Sequence, residues 1–237
     1  MNFWQLTHSN ARLKVGSLKA SVDLLNPSLG IHELKWNTAP IVGNLLGVAV
    51  AEESAPPSSL STAGLDLYIR GNDLVGNYPQ SQAQRFTLQI YWRIARSTTN
   101  ILVIDTIVSL QTSLLECFPK ALLTTQLPMG EMLAISRDDS LTIKERISSD
   151  EPAGILVRCN DESWSYFEMT HPTDLGCWRG VRNDGLRLER ELGGEFQEKG
   201  VIRRLRVRGA FLAREHDEQV ARQILTEFAE SEPPLTV

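Results

Sequence analysis

Apolar and polar residues alternate with a period of two in short segments along most of the chain, and Gly, Pro, Asn and Asp separate those segments. Successive side chains of a strand point to opposite faces, so this pattern predicts half-buried strands. The candidates are NLLGVAVAEE, LDLYIR, FTLQIYWRIA, ILVIDTIVSL, SLTIKERI and GILVRC, all rich in β-branched or aromatic residues. A first hairpin is expected over residues 12–36, where NPSLG separates a run ending in VDLL from IHELKW. In the second run Ile31, Glu33 and Lys35 alternate against His32, Leu34 and Trp36. The period changes to helical only over about 215–230. There Val220, Ile224, Leu225 and Phe228 share one face, and Glu215, Asp217 and Glu218 favour the positive end of the helix dipole. Glu218 stands four positions before Arg222, a helical pairing distance.

Two stretches break the alternation. Residues 53–64, ESAPPSSLSTAG, are polar and read as an exposed loop. Residues 112–134 contain Pro119, Pro128 and Gly130 among apolar residues and predict an irregular cover, neither helix nor clean strand. Later, LRLEREL at 186–192 places Leu186, Leu188 and Leu192 on one face, with Arg187, Glu189 and Glu191 on the other. KGVIRRLRVRGAFL at 199–212 places Val201, Leu205 and Val207 opposite Arg204, Arg206 and Arg208. These two runs are expected to pair as a hairpin around GGEFQEKG, with carboxylates across from guanidiniums. The expected architecture is all-β: a large antiparallel, supersandwich-like β-sandwich in one domain spanning 1–237, with a C-terminal amphipathic helix.

Composition narrows the function classes. With 42% apolar and 22% charged residues the chain can build a substantial core. A net charge of -5 offers no general attraction for nucleic acid. The five basic residues within 199–208 sit in a C-terminal region, from 179 onward, that holds eleven basic and eleven acidic residues, so a solvated charge ladder explains them without a polyanion. Cys117, Cys159 and Cys177 are widely spaced and lack a CxxC pair, which predicts reduced thiols. No apolar run reaches membrane-spanning length. The N-terminus lacks an unbroken apolar run, so a soluble cytoplasmic protein is expected. The four histidines, His8, His32, His171 and His216, are scattered, and no GxSxG, Walker or GxGxxG motif occurs, so neither a metal nor a cofactor is expected.

Two polar groupings stand out. In SWSYFEMTHPTDLG, alternation places Trp164, Tyr166 and Glu168 on one strand face, with Phe167, Met169 and His171 on the other. Aromatic rings beside a carboxylate suit a pyranose, whose C–H faces pack on flat rings while its hydroxyls need polar partners; the same pair also suits plain sheet packing. In LDLYIRGNDLVGNYPQ, a strand end and a tight loop gather Arg70, Asp73 and Tyr78, either as a second wall of a sugar site or as an ordinary turn with Arg70 paired to Asp66 or Asp73.

The hairpin VDLLNPSLGIHELKW, the many sheet segments after it and the QIYWRI strand together resemble the galactose-mutarotase-like β-supersandwich superfamily, which includes aldose epimerases. DLYIRGNDLVGNYPQ with QIYWR also resembles a group of bacterial proteins without an established activity. The superfamily resemblance implies a carbohydrate ligand and a carbohydrate-binding or carbohydrate-processing role. In epimerases a carboxylate base and a histidine acid act together, so Glu168 and His171 are the residues such a role would use. Three positions apart on a regular strand they face opposite ways, and they converge only where a bulge or the Thr170-His171-Pro172 segment breaks the alternation. The alternative is a non-enzymatic interaction module using the aromatic face and the C-terminal helix.

Overall fold

Residues 2–232, apart from 53–59, 61–62, 83, 139, 150–151, 161 and 175, are described in a computed structural model. The expected loop at 53–64 therefore lies mostly outside the described residues. The alternating segments form two large sheets. The first has ten strands, ordered Trp4–Thr7, Asn10–Val15, Leu18–Asp23, Ile31–Trp36, Asn44–Glu52, Pro119–Leu127, Leu186–Gly193, Gly176–Arg182 and Arg146–Ser149, with Ala39–Pro40 beside Ile31–Trp36. The second has nine, ordered Leu141–Ile143, Gly130–Ser136, Pro152–Cys159, Trp164–Thr170, Ile202–Ala213, Ile101–Gln111, Thr87–Ser97, Asp73–Tyr78 and Asp66–Arg70. The strand pairs in both are antiparallel.

The apolar half of each alternation meets between the sheets. Leu13, Val22, Val48, Leu123 and Leu188 of the first sheet share a buried core with Leu74, Trp92, Ile104, Val108 and Val207 of the second. Burial of this apolar area drives the layering, and outside the area under the helix the other half of the alternation lies on the outer faces. The helix Asp217–Ala229 covers part of the outer face of the nine-stranded sheet: Ala221, Ile224 and Phe228 pack on Leu133, Ile135, Leu156, Phe167, Met169, Ala210 and Leu212. Glu218 takes Arg158 at 2.7 Å, and Asp217 receives bonds from Arg158 and Ser165, which fix the helix start to the sheet.

The first hairpin forms as expected, with Leu18–Asp23 beside Ile31–Trp36 and a turn at Pro27–Leu29. Its alternation slips at Glu33, which adopts φ 53, so Ile31 and Leu34 are both buried. SLTIKERI divides: 141–143 joins the nine-stranded sheet and 146–149 the ten-stranded one. Two expectations are overturned. Residues 112–134 are no irregular cover, because Pro119–Leu127 is a central strand of the ten-stranded sheet. Pro119 is its first residue and Pro128 lies beyond its end, the positions where proline removes no ladder bond. Nor do the Leu186 and Arg203 runs pair. The chain leaves the first sheet at Gly193 and Gly194, whose φ of 80 and 85 only glycine adopts readily, and the later run enters the other sheet. The alternation within each run is kept, but the partners differ. Glu189 binds Arg187, Glu191 binds Lys120, Arg208 binds Asp105 and Arg206 binds Asp174.

Candidate functional site

All seven residues of Trp164–Thr170 are buried, because one face meets the sandwich interior and the other the helix. Trp164 faces inward, 5.3 Å from the Phe211 ring and 6.3 Å from Trp36. Tyr166 lies edge-on to Phe211 at 5.4 Å. Each ring is 1% exposed, so the two are core residues and form no open platform for a sugar.

Glu168 also points inward. Its Oε2 accepts bonds from Thr125 Oγ1 at 2.6 Å, across the interior, and from the Tyr166 hydroxyl at 3.0 Å. Two local features build this group. Leu46, at φ 53, lies where the pairing of 44–52 with 119–127 shifts register, and its N–H donates to Thr125 Oγ1 at 3.0 Å, fixing that hydroxyl. Gly209 lies beneath the Tyr166 hydroxyl, which would come within 2.4 Å of any Cβ there. Burial pushes the Glu168 carboxyl above the ordinary carboxylate range, opposed by the Thr125 and Tyr166 bonds and the nearby Arg190 charge.

His171 follows the same strand but lies on the helix side. Its ring is edge-on to Phe228 at 5.3 Å, and its Nδ1 is 2.8 Å from Arg206 Nη2 and 2.9 Å from Thr173 Oγ1. Burial, followed by the Arg206 charge, lowers its pKa, so it is neutral at pH 7 and Nδ1 accepts from Arg206. Arg206 Nε also donates to Asp174 at 3.0 Å. Alternation therefore persists to the strand end: Glu168 and His171 stand on opposite sides of the sheet.

The second grouping divides in the same way. Asp73 lies on the outer face, where Arg93 binds it through two bonds of 2.7 and 2.8 Å and Arg70 approaches to 4.0 Å. Tyr78 turns inward, is fully buried and donates to the Leu24 carbonyl at 2.7 Å. Three strands stand between Asp73–Tyr78 and Trp164–Thr170, so the two groupings do not meet.

The structure instead shows a pocket of about 400 Å³ where three neighbouring strands terminate. Ser136, Pro152 and Thr170 supply its rim, Leu225 and Thr226 of the helix one wall, and Arg190 of the opposite sheet another. Arg190 shares the inward register of Leu186, Leu188 and Leu192 and is 2% exposed. Its guanidinium lies 3.5 Å over the Trp178 ring, and Trp178 Nε1 is anchored on the Pro152 carbonyl at 3.0 Å. Arg190 Nε and Nη1 and the Thr170 hydroxyl have no hydrogen-bond partner among the described residues. The signal was present in the sequence as an arginine occupying an apolar position of LRLEREL. Two further depressions, of about 450 and 590 Å³, include Arg179 with Glu189 and Lys19 with Lys35, and contain no buried unpartnered group among the described residues.

No family model matches the chain, and no curated protein matches it in sequence. Solved structures share its fold. A galactose mutarotase-like protein from Lactobacillus casei superimposes with a TM-score of 0.50 at 10% identity, covering 84% of this chain and 99% of that one. A candidate aldose 1-epimerase from Klebsiella pneumoniae gives 0.54 at 8% identity, covering 94% and 84%. Galactose 1-epimerase from Lactobacillus acidophilus gives 0.51 at 8% identity, covering 86% and 94%. The chain therefore has the galactose mutarotase-like fold, an all-β sandwich with a C-terminal helix.

Proposed function

We propose that this chain is a carbohydrate-binding protein and that the strand-end pocket is its ligand site. The observation that carries this reading is the lining of the pocket: Pro152, Pro172 and Leu225 offer apolar surface to a pyranose face, while Ser136, Thr170 and Arg190 offer groups to its oxygens. Fold likeness to a galactose 1-epimerase supports the ligand class and leaves the chemistry to the site. With Glu168 and His171 on opposite faces, epimerisation by that pair has no geometric support, so binding is the reading adopted. The core shared by both sheets supports one domain, and the free Cys117, Cys159 and Cys177 fit a reducing compartment. No helix among the described residues is long and apolar enough to cross a membrane.

The test is thermal unfolding of the full chain with a panel of neutral and acidic sugars. A ligand at 100 times its Kd stabilises by about 2.7 kcal/mol, roughly 5–11 °C at this size. That shift should be lost in Thr170→Val with Leu225→Ala. Equal shifts in wild type and variant would place the ligand elsewhere, and no shift with any sugar would remove the reading.

A second reading has its own observation. Leu115, Phe196, Val201 and Ile202 are exposed near the small two-stranded sheet 116–117 with 197–198, where Phe196 lies 5.9 Å from Phe118. Exposed apolar clusters of this kind serve protein contacts. Phe196→Ser with Leu115→Ser should then lower the mass measured by light scattering at high concentration; a wild type monomeric at all concentrations would refute self-association through this surface.

A further inference from the structure

We infer that the strand-end pocket selects an anionic group, a phosphate or a carboxylate, with Arg190 as its principal partner. For the sugar that carries the group the inference rests on the proposed function; for the anion it rests on the pocket alone.

Arg190 is almost fully buried, yet Nε and Nη1 have no acceptor among the described residues. A buried guanidinium without acceptors is strongly unfavourable, because it has lost water and gained nothing in exchange. Elsewhere the chain solves this problem. Arg208 has Asp105, Arg93 has Asp73 and Arg158 has Asp217, each through two nitrogens. The interior carboxylate nearest in charge to Arg190 is Glu168, but its Oε2 is occupied by Thr125 and Tyr166. Glu168 attracts the Arg190 charge through space, but Nε and Nη1 of Arg190 make no hydrogen bond to it.

The remaining lining has the same sign. Among the described lining residues, Arg137 and Arg222 join Arg190, and Glu230 supplies one carboxylate. The unpartnered Thr170 hydroxyl supplies a further donor. Trp178 holds the guanidinium plane in place before any ligand arrives, which lowers the ordering cost of binding. A planar fork of donors matches the paired oxygens of a carboxylate or phosphate, whereas a neutral hydroxyl would leave the charge unmatched.

The experiment is calorimetric titration of the full chain at low salt with glucose, glucuronate, glucose 6-phosphate and inorganic phosphate, repeated with Arg190→Met and Arg190→Lys. Glucose 6-phosphate or glucuronate should bind at least ten-fold more tightly than glucose. Arg190→Met should abolish that preference, and Arg190→Lys should retain part of it while losing the two-pronged geometry. Circular dichroism verifies folding, and if Arg190→Met does not fold, Arg190→Lys with Arg137→Ala decides the matter. Glucose binding as tightly as its phosphate, unchanged in the Arg190 variants, would overturn anion selection and leave the sugar site standing. Inorganic phosphate binding as tightly as the sugar phosphate, and dependent on Arg190, would uphold the anion site and remove the sugar. No binding of any anion overturns the inference.

Discussion

The outer face of the nine-stranded sheet and the pocket at its strand ends both carry arginines, and the sheet treats them in opposite ways. Along one row of the outer face, cross-strand register aligns Arg208, Asp105, Arg93, Asp73 and Arg70 on five successive strands. Each cation stands beside an anion, and the closest pairs are two-pronged at 2.6–2.9 Å. Arg190 also lies in a register row, between Leu123 and Trp178, and neither neighbour is an acceptor. Where register supplies a counter-charge, the arginine belongs to the scaffold. Where register places it among apolar residues at the mouth of a pocket, its hydrogen-bonding capacity is left for something that enters.

That contrast is open to perturbation, beginning with the ladder. Asp105→Ala removes the carboxylate from a largely covered Arg208, whose side chain is 12% exposed. The expected loss is about 3 kcal/mol, roughly 6–12 °C in Tm by calorimetry. A loss below about 1 kcal/mol would mean the row is ornamental.

Next comes the interior carboxyl. Because burial raises the Glu168 pKa, its contribution to stability is complete below the unfolded carboxyl value and is lost as pH rises through the folded value. Glu168→Gln should therefore remove a decline in stability above about pH 4.5, seen by comparing urea unfolding of the two proteins from pH 4 to pH 8. Parallel curves would show that Glu168 titrates as an exposed acid.

Arg190→Met should behave unlike Asp105→Ala. It removes a buried charge that lacks hydrogen-bonded acceptors and loses the contact with Trp178 and the attraction of Glu168, so stability should remain within about 1 kcal/mol of wild type. A loss comparable to that of Asp105→Ala would reveal a structural partner for Arg190. The smallest effect belongs to Glu191→Ala. It breaks the half-exposed Lys120 pair at 2.7 Å and should cost about 0.2–0.5 kcal/mol, diminishing with added salt.

Much of this was legible in local pattern. The strand segments, the hairpin around NPSLG, the helix and the opposite facing of Glu168 and His171 all follow from period and turn chemistry. Strand pairing was not legible. LRLEREL and VIRRLRVR have complementary charges, which makes them plausible neighbours in sequence, but each pairs on both edges with other strands: Leu192 with Ala121 and Gly176, and Arg208 with Asp105 and Met169. Exposure was not legible either. Trp164 and Tyr166 follow an alternation that fits a polar outer face as well as a core, and only the opposing sheet buries them.

The sequence by itself determined which residues share a face, because backbone geometry sets the period of two without reference to any partner. It determined the β class for the same reason. Only the tertiary structure decided which face is inside, which carboxylate meets which arginine, and that Arg190 is hydrogen-bonded to no carboxylate among the described residues. Those outcomes depend on residues distant in sequence arriving at contact distance, and a strand's alternation contains no record of what packs against it.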